Sequence, residues 1–175
     1  MIKTERLILR PWKITDAEAL AKIGNNPNIA RNMRDRFPHP YLEANALLFI
    51  KEFEKENPQK VFGIFLNDEP IGSCGVFPED DIYRKNAEIG YWIGEPFWNK
   101  GYATEAVTAI INYGFSAFEI ERIYAAVFSY NLSSKKVVEK LGFTFEATHH
   151  NRVFKNGEYF DELIYSIWRK DWEGK

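Results

Sequence analysis

Pro96-Phe97-Trp98-Asn99-Lys100-Gly101-Tyr102-Ala103-Thr104-Glu105-Ala106 is the stretch from which the fold is read. A strand-like segment, Ala87-Glu88-Ile89-Gly90-Tyr91-Trp92-Ile93-Gly94, ends just before it. An amphipathic helical pattern from about Tyr102 to Phe118 begins inside it. Strand, small-residue turn and helix start together make a backbone site for a phosphate group. The first N–H groups of a helix have no partner within the helix, and the helix dipole places partial positive charge there. Gly101 removes the Cβ that would block an approaching anion, and Ala103 keeps the next turn narrow.

The rest of the chain bounds what such a site can serve. At 175 residues it fits one domain with a sizeable core, expected to span residues 1–175. Hydrophobic residues at 45% and charged residues at 27% are ordinary globular composition. Aromatics at 16% are enough for a filled core and for aromatic walls around a cleft. A net charge of −2 and a pI of about 6.0 argue against sequence-independent nucleic-acid binding. No apolar run approaches the ~20 residues of a membrane span. Met1 to Arg6 lacks the apolar stretch of a signal peptide, so a cytoplasmic protein is expected. A single cysteine, Cys74, excludes an internal disulfide and a multi-cysteine metal site. Three scattered histidines offer no ligand spacing, so no metal is expected.

Along the chain the elements alternate in type. Thr4 to Leu9 reads as a first strand closed by Pro11, and Thr15-Asp16 offers an N-cap for a helix over Ala17 to Ile23. Gly24-Asn25-Asn26-Pro27 breaks that helix, and a helical turn follows over Asn28 to Met33. Asp35 to Pro40 is a loop. Leu42 to Glu56 has helical spacing. Val61 to Leu66 and Ile71 to Phe77 form a hairpin about Asn67-Asp68-Glu69-Pro70. Ala87 to Ile93 is the next strand. Arg122 to Phe128 is another, followed by a helix over Ser133 to Leu141 that Gly142 stops. Strands near Phe143 to His150 and Tyr159 to Trp168 surround Asn156-Gly157, a strong hairpin signal.

Four ordered segments carry a family resemblance. They are Thr4-Glu5-Arg6-Leu7-Ile8-Leu9-Arg10-Pro11; Glu88 to Gly94 with Trp98 to Ala106; Asn131-x-x-Ser134 with Glu139 to Phe143; and Asn156-Gly157 with Asp161 and Tyr165-Ser166. In these the chain resembles the GNAT superfamily of acetyl-CoA-dependent N-acetyltransferases. Within it, the likeness is to the subgroup of ribosomal-protein N-terminal (Rim-type) acetyltransferases. The resemblance implies an α/β (α+β) GNAT fold: a single mixed, mostly antiparallel sheet, splayed at its centre, with helices on both faces. It further implies acetyl-CoA as co-substrate, an amine acceptor, and a monomer or homodimer.

The resemblance also assigns roles. The backbone around Trp92 and Ile93 would hold the pantetheine arm and polarise the acetyl carbonyl. The amides from Asn99 through Lys100, Gly101, Tyr102 and Ala103 to Thr104 would hold the pyrophosphate. Trp98 stands where the superfamily usually has Gln or Arg, a substitution common in the subgroup. Binding there would rest on backbone amides, with Lys100 as a possible added charge. Asn131 would contact the cofactor or cap its helix. Val138 occupies the position of the superfamily's tyrosine acid and has no proton to give, which leaves Ser134 as donor to the thiolate or as a hydrogen bond to its sulfur. Glu88 would act as base directly or through water; the alternative is a surface glutamate paired to a neighbouring strand. His149 and His150, on opposite faces of their strand, are expected to be exposed. Cys74 is expected to pack as a small apolar residue, and Lys135, Lys136 and Arg122 to be solvated, the alternative for Lys135 or Lys136 being a contact to the 3′-phosphate of the cofactor. Glu79-Asp80-Asp81 reads as a solvated acidic loop.

Overall fold

The computed structural model describes residues 1–174. Its strands and helices alternate as β1 (Ile2–Lys3), β2 (Ile8–Arg10), α1 (Ala17–Gly24), α2 (Pro27–Ala30), α3 (Glu43–Phe53), β3 (Val61–Leu66), β4 (Glu69–Pro78) and β5 (Asn86–Ile93). Then follow α4 (Tyr102–Ala117), β6 (Arg122–Phe128), α5 (Leu132–Lys140), β7 (Thr144–Lys155), β8 (Glu158–Trp168) and α6 (Arg169–Glu173). The strands form one sheet of order β1-β2-β3-β4-β5-β6-β8-β7. The β5–β6 pair is parallel; β1–β2, β2–β3, β3–β4, β6–β8 and β7–β8 are antiparallel. The expected mixed, mostly antiparallel sheet is therefore present.

The chain packs as two units, Met1–Gly75 with Tyr91–Ile110, and Val76–Gly90 with Ile111–Lys175. In the first, Leu7, Leu9, Leu20, Ile50, Ile64 and Ile71 are fully buried. Trp12 joins this core and spends its indole N–H on the Ser73 hydroxyl, 3.1 Å away, which itself donates to the Phe62 carbonyl. The buried polar atoms are thus satisfied in sequence. Cys74 is buried, and burial pushes its thiol well up, so it packs as the small apolar residue expected.

Gly72 fixes how closely the backbones of the first unit approach. A Cβ there would overlap the Trp92 carbonyl oxygen and lie 3.0 Å from Ile93 Cα, both of them backbone atoms. Gly72→Ala should cost about 2–3 kcal/mol by overpacking. Thermal denaturation should show a midpoint lower by roughly 4–12 °C; an unchanged midpoint would show that this contact is not tight.

The second unit holds Val76, Ile111, Ile120, Ile123 and Val138 in its core. Its register carries a feature that matters for function. Strand β5 pairs with β6 through Asn86–Arg122, Ala87–Ile123 and Glu88–Tyr124, and no further among the described residues. Beyond that point Ala125 to Phe128 pair with β8 alone. The interruption falls where the splayed sheet was expected.

Several boundaries depart from the sequence reading. Thr4 to Leu9 is not one strand, because the Thr4 N–H donates to the Leu7 carbonyl while the Thr4 hydroxyl accepts from the Leu7 N–H, and the two bonds bend the chain between β1 and β2. Asp16 stands at the N-cap of α1 without capping it by its side chain. Its carboxylate accepts instead from the Arg10 guanidinium, at 2.7 and 3.0 Å, and from the Lys13 N–H. Strand β7 runs past His150 to Lys155 through a register shift in which Asn151 takes a positive φ of 52°. Helix α6 was not foreseen. It is anchored by Arg169, whose guanidinium reaches the Ile120 carbonyl, and by the Trp172 indole on Asn112.

Candidate active site

In the first unit, β5 ends at Ile93 and a single 3-10 turn, Glu95–Phe97, leads into the exposed residues 98–101. Two left-handed residues shape that segment, Asn99 at φ 60° and Gly101 at φ 82°. The Trp98 indole N–H donates to the Ile93 carbonyl at 2.6 Å, lacing the end of the strand to the loop. Lys100 Nζ donates to the Pro96 carbonyl at 2.9 Å and lies 5.6 Å from the Phe97 ring centre. At the other end of the turn, Glu95 accepts from the Asn26 and Asn28 amides, which hold it below the usual carboxylate range.

These contacts use side chains and carbonyls and leave the amides free. Among the described residues the Glu105 N–H closes the first helical bond, onto the Gly101 carbonyl. Among the described residues the N–H groups of Asn99, Lys100, Gly101, Tyr102, Ala103 and Thr104 make no well-formed hydrogen bond to a protein acceptor, so they form a run of donors at the positive end of a 16-residue helix. A pyrophosphate, with oxygens to accept several N–H bonds at once, fits this run chemically. Trp92 and Ile93, named for the pantetheine arm, are buried beside it, Trp92 edge-on to Phe37 at 5.6 Å.

Three residues that the sequence reading gave no role hold this loop from behind. The Glu105 carboxylate accepts from the Thr4 hydroxyl, the Arg6 N–H at 2.8 Å and Arg6 Nε at 2.7 Å. Arg6 Nη1 donates to the Lys100 carbonyl at 3.0 Å. Hydrogen bonding keeps Glu105 below the usual carboxylate range although partial burial works against it. Both ends of this cluster stood in resemblance segments, but no local rule connects side chains 99 residues apart.

In the second unit, Glu88 is half-buried at the last β5 position paired to β6. Its register partner Tyr124 donates its hydroxyl to Glu79 at 2.8 Å, so Glu79 is engaged by protein and not merely solvated. Asn131 caps α5 with its side-chain oxygen on the Ser134 N–H at 3.1 Å. Ser134 is half-buried on the first turn, and Val138 on the same helix is core. Phe128, Tyr130 and Phe160 form a cluster of tilted and edge-on rings, with ring centres 5.7 and 4.7 Å from Tyr130.

Arg122 corrects the sequence reading. It is largely buried because its guanidinium pairs with Glu146 and donates to the Asn86 side chain at 3.0 Å. His149 and His150 are exposed, as expected, facing Glu162 at 3.6 Å and Asp161 at 3.1 Å. Among the described residues no cluster of His, Cys, Asp or Glu is arranged to hold a metal, and no helix is long and apolar enough to cross a membrane.

Residues 6–144 match the family model of the acetyltransferase (GNAT) domain. The chain belongs to the GNAT acetyltransferase family. A curated relative, the uncharacterized N-acetyltransferase p20 of Bacillus licheniformis, is 32% identical over 98% of this chain and 97% of its own. Another, named "Putative ribosomal N-acetyltransferase YdaF" in Bacillus subtilis (strain 168), is 33% identical over 65% of this chain and 61% of its own. Among solved structures, a GNAT-family acetyltransferase from Bacillus anthracis superposes with TM-score 0.83 at 26% identity, covering 97% of this chain and 98% of that one. The microcin C7 self-immunity acetyltransferase MccE, solved with acetyl-CoA and AMP, gives TM-score 0.82 at 26% identity over 94% and 93%. This GNAT acetyltransferase thus matches p20 in sequence, and the Bacillus anthracis enzyme and MccE in fold, along almost the whole chain.

Proposed function

We propose that the chain moves an acetyl group from acetyl-CoA to a primary amine, most specifically a protein or peptide N-terminal α-amino group, by direct attack. The observation that carries the donor half is the run of unpaired N–H groups from Asn99 to Thr104, shaped by Gly101 and braced by Trp98. Those amides take the pyrophosphate, and the backbone at Trp92 and Ile93 takes the pantetheine arm. MccE, an acetyltransferase of the same fold solved with acetyl-CoA, supports this donor.

The acceptor half rests on resemblance and on energetics. Attack needs a neutral amine. An α-amino group costs about 1 kcal/mol to deprotonate at pH 7 and a lysine-like amine about 5 kcal/mol. The name of YdaF and the four Rim-type segments favour the first. As the C–N bond forms and the C–S bond breaks, Glu88 takes the amine proton directly or through water, and Ser134 meets the departing thiolate. Asn131 adds a cofactor contact to its cap. Ser134→Ala should lower kcat by about tenfold or more, the worth of one hydrogen bond to the departing thiolate; wild-type turnover would remove Ser134 from the reaction.

The function is tested by thiol release from acetyl-CoA across N-terminal peptides, polyamines and aminoglycosides, with the acceptor's mass followed. A gain of one acetyl on the peptide α-amine is expected. Transfer confined to polyamines or aminoglycosides would replace the acceptor. Tight acetyl-CoA binding without transfer to any amine would make the chain an acyl-CoA sensor.

A further inference from the structure

Arg6 and Glu105 lie outside the reacting groups, yet Arg6 ties the donor loop, at the Lys100 carbonyl, to the Glu105 carboxylate. Glu105 sits in the first turn of α4, where a carboxylate can fold back onto the free N–H groups of the helix start. It does not do so here, because the Thr4 hydroxyl, the Arg6 N–H and Arg6 Nε occupy its oxygens. The same guanidinium extends Nη1 to the Lys100 carbonyl and lies 4.6 Å from the Tyr102 ring centre. A trans peptide holds its C=O and N–H on opposite sides. Drawing the Lys100 oxygen toward Arg6 therefore turns the Gly101 N–H to the far side, into the run of free donors. Gly101 permits this arrangement: its φ is 82°, and a Cβ there would approach Arg6 Nη2 to 3.3 Å.

We propose that Arg6 is a positioning residue for the acyl donor. It sets the Lys100–Gly101 peptide with its amide outward, and it withholds the Glu105 carboxylate from the amides an anion must use. The fork of a guanidinium suits both tasks, since one side chain must satisfy a carboxylate and a carbonyl together. This inference rests on the reading of residues 99–104 as the pyrophosphate loop.

Calorimetric titration of the full chain with CoA and with pantetheine, which lacks the pyrophosphate, tests it. For Arg6→Ala the Kd for CoA should rise at least about tenfold, with pantetheine affinity and melting temperature little changed. The double variant Arg6→Ala, Glu105→Ala should bind CoA more tightly than Arg6→Ala alone, because the competing carboxylate is gone; a purely structural brace predicts no such recovery. Should Arg6→Ala fail to fold, Arg6→Lys keeps the charge, cannot span both acceptors, and should show the same selective loss. Unchanged CoA affinity, equal weakening of both ligands, or no recovery in the double variant would overturn the proposal. Wild-type protein binding pantetheine as tightly as CoA would remove the pyrophosphate reading itself, and the proposal with it.

Discussion

Gly101→Val should weaken acetyl-CoA binding by about a hundredfold, the largest loss expected from any single change in the donor loop. Gly101 sits at φ 82°, in the left-handed region. A side chain there costs about 1–2 kcal/mol in backbone strain, and a β-branched one more. The loop can relieve that strain by turning the Lys100–Gly101 peptide, but doing so breaks the Arg6 bond to the Lys100 carbonyl and withdraws the Gly101 N–H. Strain relief and anion binding are therefore in direct conflict. Because the loop is exposed, the melting temperature should fall little, which separates lost binding from lost folding. Near-normal affinity for acetyl-CoA in this variant would mean that the Gly101 amide takes no part in binding.

Glu88→Gln should lower kcat/KM by about a hundredfold at pH 7, within the range of general-base effects. Glu88 is the last β5 residue paired to β6, half-buried at the point where the register stops. Glutamine keeps the shape and one acceptor oxygen but cannot take a proton. The deficit should shrink as pH rises toward the acceptor's own pKa, near 8 for an α-amino group, since the neutral amine then forms without help. A pH–rate profile parallel to wild type would remove Glu88 from this role and leave it a structural glutamate.

Much of the fold was legible because its signals are local. The Asn67-Asp68 turn takes positive φ at both residues and the Asn156-Gly157 turn does the same, which fits the tight hairpins read from their residue types. The β6 boundaries, Arg122 to Phe128, agree with the sequence reading, since β-branched and apolar residues alternate there between clear breaks. The failures came where a side chain overrides its local pattern. The Thr4 hydroxyl oxygen takes the Leu7 N–H and splits the first strand. Helix α6, five residues long, is too short to show a period and is held by anchors from residues far away in sequence.

The candidate site divides along the same line. Gly101 and the helix start could be read directly, because glycine and free amides carry their function in the backbone. Arg122 could not, since its burial depends on Glu146 and Asn86. Nor could the Thr4–Arg6–Glu105 cluster, whose partners lie about a hundred residues apart. Charged residues look alike in a sequence whether they face water or each other; only the fold tells them apart.

Titration of the nitrogen-15-labelled protein with acetyl-CoA, followed amide by amide, tests the central claim most directly. The backbone signals of Asn99 to Thr104 should shift on adding acetyl-CoA and should stay in place on adding pantetheine. Saturation by acetyl-CoA with those amides unmoved would contradict the account.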